Sequence, residues 1–131
     1  AALQEPIGEV RARIELALRD EGFGVLTEID VAATLKVRLG LDRAPYLILG
    51  ACNPRMAERA LEIDPSTGVL LPCNAVLRAS DGSGTIVEIL DPVAALGIAG
   101  SAALTPLATE AAERLRRVLG ALSADPGTPR A

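Results

Sequence analysis

The sequence contains no histidine and no tryptophan, and Lys36 is its single lysine. Without an imidazole there is no Ser-His-Asp or Cys-His catalytic arrangement, no histidine-bound zinc and no histidine ligand to haem. Lys36 follows Leu35 on a predicted short helix and is interpreted as a solvated side chain, not as a Schiff-base residue. The sequence therefore assigns no catalytic residue and names no cofactor, and it leaves open whether the protein is an enzyme.

Aromatic side chains are almost absent, since Phe23 and Tyr46 are the only two. Because 50% of the residues are nevertheless hydrophobic, the interior must be aliphatic. Such a chain lacks stacking platforms for bases or sugars. The formal net charge of −4 also disfavours binding to a phosphate backbone, which needs a basic stripe. Nucleic acid is therefore not expected as a partner.

Long apolar runs are missing as well, and none approaches the roughly 18 residues of a membrane span. The first 20 residues carry charges where a secretory signal would be apolar, as at Glu5, Arg11 and Glu15. We therefore expect a cytoplasmic protein without membrane association, in which both cysteines are reduced. Its length predicts a single domain over residues 1–131, with an ordered core at about 6–122 and a frayed tail at 123–131.

Apolar periodicity and capping residues predict helices and strands in alternation. The predicted helices are 6–20, 31–39, 55–63, 93–98 and a last one from about Leu104 or Thr105 to Leu122. The predicted strands are 23–29, 45–52, 69–78 and 85–90. Pro72 should make its strand an edge, a bulge or a break. This order favours an α+β fold: a mainly antiparallel sheet with helices on one face, together with short extra helices. An aliphatic open sheet face would then favour a homodimer.

The only two thiols lie in matching Cys-Asn doublets, Cys52-Asn53 and Pro72-Cys73-Asn74. Cys52 precedes a predicted helix start, where the helix dipole and free N–H groups favour the reactive thiolate. Two thiols suit Cu(I), thiol exchange or sulfur transfer better than zinc, which would need carboxylates or a second subunit. The alternative is that both cysteines are small buried hydrophobic residues.

Three polar residues beside the thiols could contact a ligand. Asn53 and Asn74 could present their amides, although capping and turn formation explain Asn53 better. Arg55 could hold an anion one turn from Cys52, or be a surface arginine. Farther along the chain, Glu28 and Asp30 stand two apart at a strand end and are weaker candidates for paired acid–base work. Asp30 is also a good helix cap.

Four segments carry a resemblance to a known family: 21–31, 46–54, Leu71-Pro72-Cys73-Asn74 and Asp91-Pro92. In their order and spacing over residues 6–122, they resemble the family of domains of unknown function numbered 302. The resemblance implies one α+β domain similar to half of the TATA-box-binding protein, with its elements in the order strand, helix, four strands, helix. It also implies a homodimer in the bacterial cytoplasm. The first strand of that family is barely present in Ala1 to Glu5. The family supplies no function.

Two hypotheses about function follow from these residues. The first is a cysteine-dependent redox, sulfur-handling or soft-metal protein centred on Cys52 and Cys73. The second is a non-catalytic homodimer that binds a small apolar or amphipathic ligand, or that serves only a structural role. A pocket lined by Cys52, Cys73 and Asn74 at the sheet surface would favour the first. An enclosed aliphatic cavity away from the thiols would favour ligand binding, and a flat sheet face covered by a second copy would favour a purely structural role.

Overall fold

Several helix boundaries lie at the predicted capping residues. Asp30 Oδ1 accepts a hydrogen bond from the Ala33 N–H at 2.9 Å and so caps the second helix. Two of the helix ends are followed by glycines in the left-handed region, Gly22 with a φ of 84° and Gly40 with a φ of 68°. Local sequence chemistry therefore sets these boundaries.

The computed structural model describes residues 1–124. Its elements are β1 (Ala2–Leu3), α1 (Ile7–Asp20), β2 (Gly24–Asp30), α2 (Val31–Leu39), β3 (Tyr46–Cys52), α3 (Pro54–Ile63), a 3-10 helix (Pro65–Leu70), β4 (Cys73–Ala79), β5 (Thr85–Ile89), α4 (Pro92–Gly97), a second 3-10 helix (Ala102–Leu104) and α5 (Thr105–Ser123). Most of the tail predicted to fray, residues 125–131, lies outside the described residues. Within 1–124, no helix combines the length and apolar character that a membrane crossing needs.

The five strands form one sheet in the order β1-β5-β4-β3-β2, with every neighbouring pair antiparallel. This confirms the predicted α+β class. The first strand is short but paired, since Ala2 lies opposite Ile86 and Leu3 opposite Thr85. The first element of the chain, β1, is therefore part of the same sheet as the later strands.

One predicted strand starts later than expected. Residues 69–71 were assigned to it, but the first 3-10 helix continues to Leu70 and β4 begins only at Cys73. The break falls at Pro72, which has no N–H to donate to a sheet ladder. The predicted interruption at Pro72 is confirmed, and the strand assignment before it was wrong.

The core lies between one face of the sheet and the helices α1 and α5. On this inner face Leu49, Leu77 and Val87 are fully buried. They belong to one apolar cluster with buried side chains of α1 and α5: Val10, Ile14, Ala17, Leu18, Leu107, Ala111, Leu115, Val118 and Leu122. Burial of each large aliphatic side chain stabilises the fold by roughly 1.5–3 kcal/mol.

The opposite, outer face of the sheet keeps much of its apolar surface exposed. Ile29 lies opposite Ile48, and Ile48 lies opposite Val76. Ile48 and Val76 are half-buried, and Ile29 is 50% exposed. We call Ile29, Ile48, Val76 and Ile86 the outer patch.

Gly50 sits where two other residues approach the outer face closely. A Cβ atom on Gly50 would lie 2.2 Å from Thr27 Oγ1 and 2.8 Å from Pro72 Cγ, both well inside contact distance. The threonine side chain can rotate away, but the proline ring is closed onto the backbone and cannot. A side chain at position 50 must therefore displace the segment that enters β4.

We predict that Gly50→Ala lowers the free energy of unfolding by about 1–3 kcal/mol, the usual cost of overpacking. Gly24→Ala is the matched control, because a Cβ atom at this β2 glycine meets nothing within 4 Å. Urea denaturation of both variants measures the difference. Equal stability of the two variants would contradict the close approach at Gly50.

Candidate functional site

The two thiols lie on neighbouring strands at one end of the sheet. Cys52 is the last residue of β3 and Cys73 is the first residue of β4. They are not opposite each other, because Cys73 pairs with Ala51, and both cysteines are free. The structure therefore holds no disulfide between them.

Both cysteines line an apolar cavity beneath α3, α4 and α5. The cavity has about 40 Å³ of space open to a water-sized sphere. Its other described lining residues are Phe23, Ala51, Asn53, Met56, Ala57, Ala60, Leu70, Leu71, Pro92, Ala95, Leu96, Leu107 and Ala111. Asn53 is the one amide among them, and none is charged. Such a space favours an uncharged occupant, since an ion inside it would lose its hydration without gaining a partner.

Burial changes the pKa of both thiols. It raises the pKa of Cys52 above its ordinary value. Burial also raises the pKa of Cys73, and the negative charge that Cys52 would carry raises it further. The sequence predicted that the start of α3 would favour a thiolate at Cys52. Burial acts against that expectation, because desolvation penalises the charged thiolate.

Asn53 has a structural role next to the cavity. Its Oδ1 accepts a hydrogen bond from the Met56 N–H at 3.2 Å and so caps α3. Its Nδ2 lies against Gly22, where a Cβ atom would come within 2.9 Å. The capping interpretation of Asn53 is therefore correct, although its side chain also forms part of the cavity wall.

The other two candidates lie elsewhere. Asn74 is exposed on the outer face, opposite Gly50, and lines a separate groove instead of the cavity. Arg55 is exposed on α3 and does not line the cavity. The five candidate residues are therefore divided. Cys52, Asn53 and Cys73 line the cavity, whereas Asn74 and Arg55 do not.

The two carboxylates of β2 have structural partners. Glu28 accepts a hydrogen bond from Arg11 Nε of α1, and Asp30 caps α2. Neither lines the cavity that contains the thiols. Among residues 1–124, moreover, no group of three or more histidine, cysteine, aspartate or glutamate side chains could hold a metal ion. The described part of one chain thus offers the thiols no carboxylate ligands.

Sequence reasoning missed the residues that close the cavity. Leu70 comes from the first 3-10 helix, Leu96 from α4, and Leu107 and Ala111 from α5. The apolar stripe of α5 predicted a buried face, but not that this face would leave space next to the thiols. The space exists only because these three separate segments pack together.

We predict that both thiols react slowly with iodoacetamide at pH 7, at least about tenfold more slowly than in the chain unfolded in urea, because the thiolate is the reactive form.

The raised pKa values also predict a pH-dependent stability. Because folding raises the pKa of both thiols, their contribution to stability is present below the ordinary thiol pKa of about 8.5 and is lost as the pH rises. Unfolding measured between pH 7 and 10 should show that loss, and Cys73→Ser should reduce it. Equal rates of reaction with iodoacetamide in the folded and unfolded chains would contradict the predicted slow alkylation.

Comparison with known proteins finds the same architecture elsewhere. The family model described as "Domain of unknown function DUF302" matches residues 1–122. A crystal structure described as an uncharacterized conserved DUF302 protein from Bacillus stearothermophilus superposes with a TM-score of 0.85 at 31% sequence identity. The match covers 93% of this chain and 94% of that chain. A search of curated proteins finds no match to this chain. The chain belongs to the DUF302 family of domains of unknown function.

Proposed function

We propose that this protein is a non-catalytic homodimeric binding module whose apolar cavity receives a small uncharged ligand. The observation that carries the proposal is the cavity itself, which lies at the strand ends and is lined by uncharged residues. Its space of about 40 Å³ corresponds to about three water-sized spheres. Cavities with such walls remain dry and take up apolar guests.

The chemistry of the thiols supports binding more than catalysis. Raised pKa values keep both thiols protonated near neutral pH, so neither is an activated nucleophile. A redox, sulfur-handling or soft-metal role centred on Cys52 and Cys73 has less support, because they form no disulfide and no charged residue lines their cavity. As neutral thiols, they provide polarizable contacts for an apolar guest.

We predict that xenon, a compact apolar probe, enters the cavity and that Ala57→Leu excludes it. Ala57 lines the cavity and is half-buried, so the larger side chain can fill the space. The ¹²⁹Xe chemical shift and line width, titrated with protein, should report binding that weakens at least about tenfold in the variant. Ala33→Leu, at an exposed position on α2, is the control and should bind xenon like the unaltered protein. Absence of xenon uptake by the unaltered protein would refute the binding function.

The dimer part of the proposal rests on the outer patch. Arg78 Nε and Glu88 Oε1 form an exposed ion pair, 2.8 Å apart. The pair stands among the patch residues, since Glu88 lies opposite Val76 and Arg78 lies opposite Ile86. A two-fold axis brings the same patch of two copies together, so that the cation of each can meet the anion of the other. Burial of an aliphatic patch of this kind is the main source of stability in homodimer interfaces.

We predict that Ile29→Glu converts a dimer to a monomer, because it places a charge within the apolar contact. Leu16→Glu on α1 is a closely matched control, since Leu16 is 49% exposed and Ile29 is 50% exposed. Sedimentation velocity at several protein concentrations measures the mass. A monomeric unaltered protein, or dissociation of both variants alike, would count against a dimer through the outer patch.

A further inference from the structure

A second apolar depression lies beside the cavity and shares its wall. This groove has about 420 Å³ of open space and is lined by the end of the first 3-10 helix, the start of β4, the end of β5, and α4. Leu70, Leu71 and Ala95 line both the groove and the cavity. One layer of side chains therefore separates the two spaces.

The groove exposes unusually large apolar side chains. Val69 is 87% exposed and Ile98 is 78% exposed, and they stand with Leu90 around the same depression. Groove volumes of about 300–1,000 Å³ are typical of sites for small molecules. The exposed side chains are thus arranged around a space that suits an alkyl chain.

The polar features of the groove define the head group of its occupant. Asn74 is exposed and is the one side chain with a hydrogen-bonding group among the described residues that line it. No cation lines the groove, and the carboxylate of Asp91, which accepts a hydrogen bond from the Val93 N–H, lies at the adjoining start of α4. Asp91 itself lines a different depression together with Arg116, and the described residues that line the groove carry no charge of either sign. An anionic head group would lose hydration in the groove without gaining a positively charged partner.

We propose that the groove and the cavity together form one site for a neutral single-chain amphiphile, such as an alcohol with a medium-length alkyl chain. The hydroxyl group hydrogen-bonds to the Asn74 amide, and the chain lies against Val69, Leu90 and Ile98. Its tip displaces the Leu70 and Leu71 side chains of the shared wall to reach the cavity. This inference rests on the proposed binding function and names the class of its ligand.

The test uses octan-1-ol and octanoate as probes, measured by isothermal titration calorimetry at pH 7. We expect octan-1-ol to bind at least about tenfold more tightly than octanoate, because only octanoate brings an uncompensated charge to the groove. Val69→Asp should weaken octan-1-ol binding at least tenfold. Val37→Asp on α2 is the matched control, since Val37 is 85% exposed and lies outside the groove, and it should leave the affinity unchanged. Ala57→Leu, which fills the cavity, should weaken octan-1-ol binding at least threefold.

The outcomes separate this inference from the proposed function. If xenon binds but Val69→Asp leaves octan-1-ol affinity unchanged, the groove is not the amphiphile site and the cavity function stands. If Val69→Asp instead changes the sedimentation mass and leaves octan-1-ol affinity unchanged, the groove is a contact between copies, and the inference is overturned. If octanoate binds as tightly as octan-1-ol, the assignment of a neutral head group is wrong. If neither xenon nor octan-1-ol binds, both proposals fail.

Discussion

Aliphatic packing between the inner face of the sheet and the helices α1 and α5 is the contact on which this structure depends. Leu49 and Leu77 from the sheet are buried in one cluster with Ile14 and Val118 from the helices. Phe23 is the only aromatic side chain in that cluster, so the layers are held by branched chains and alanines. Tight packing of such residues leaves little tolerance for changes in volume.

Small side chains give this core a particular weakness at its end. Ala51, Ala57, Ala60 and Ala111 line the cavity, where larger residues would have filled the space. The adjoining thiols are small as well. The cavity is therefore a consequence of the same aliphatic, alanine-rich composition that made the interior predictable.

Burial also decides the chemistry of the cysteines. At the start of a helix, a thiol would ordinarily gain from the positive end of the dipole. For Cys52, burial acts in the opposite direction and raises the pKa. The same low-dielectric surroundings that suit an apolar guest therefore oppose the formation of a charged nucleophile.

Local chemistry explains which features of the fold could be predicted from the sequence. Asp30 as a helix cap, Gly22 and Gly40 in left-handed turns, and Pro72 as a break in a strand are each determined by one or two residues. The strand register and the cavity were not predictable in this way, because they depend on segments distant in sequence. Leu70 and Leu107 meet only after the sheet and α5 have packed. The matching Cys-Asn doublets suggested that each asparagine lies beside its cysteine. In β4, however, consecutive residues point to opposite faces of the sheet, so Asn74 faces away from Cys73.

The close approach of Gly50, Thr27 and Pro72 has an evolutionary consequence. A larger residue at position 50 can be accommodated only if the ring at position 72 is exchanged or shifted. The two positions should therefore change together among related sequences, with glycine accompanying proline. Since Pro72 precedes Cys73 directly, drift at the centre of β3 would be transmitted to the thiol-lined cavity, and selection on the cavity would restrict a glycine that does not line it.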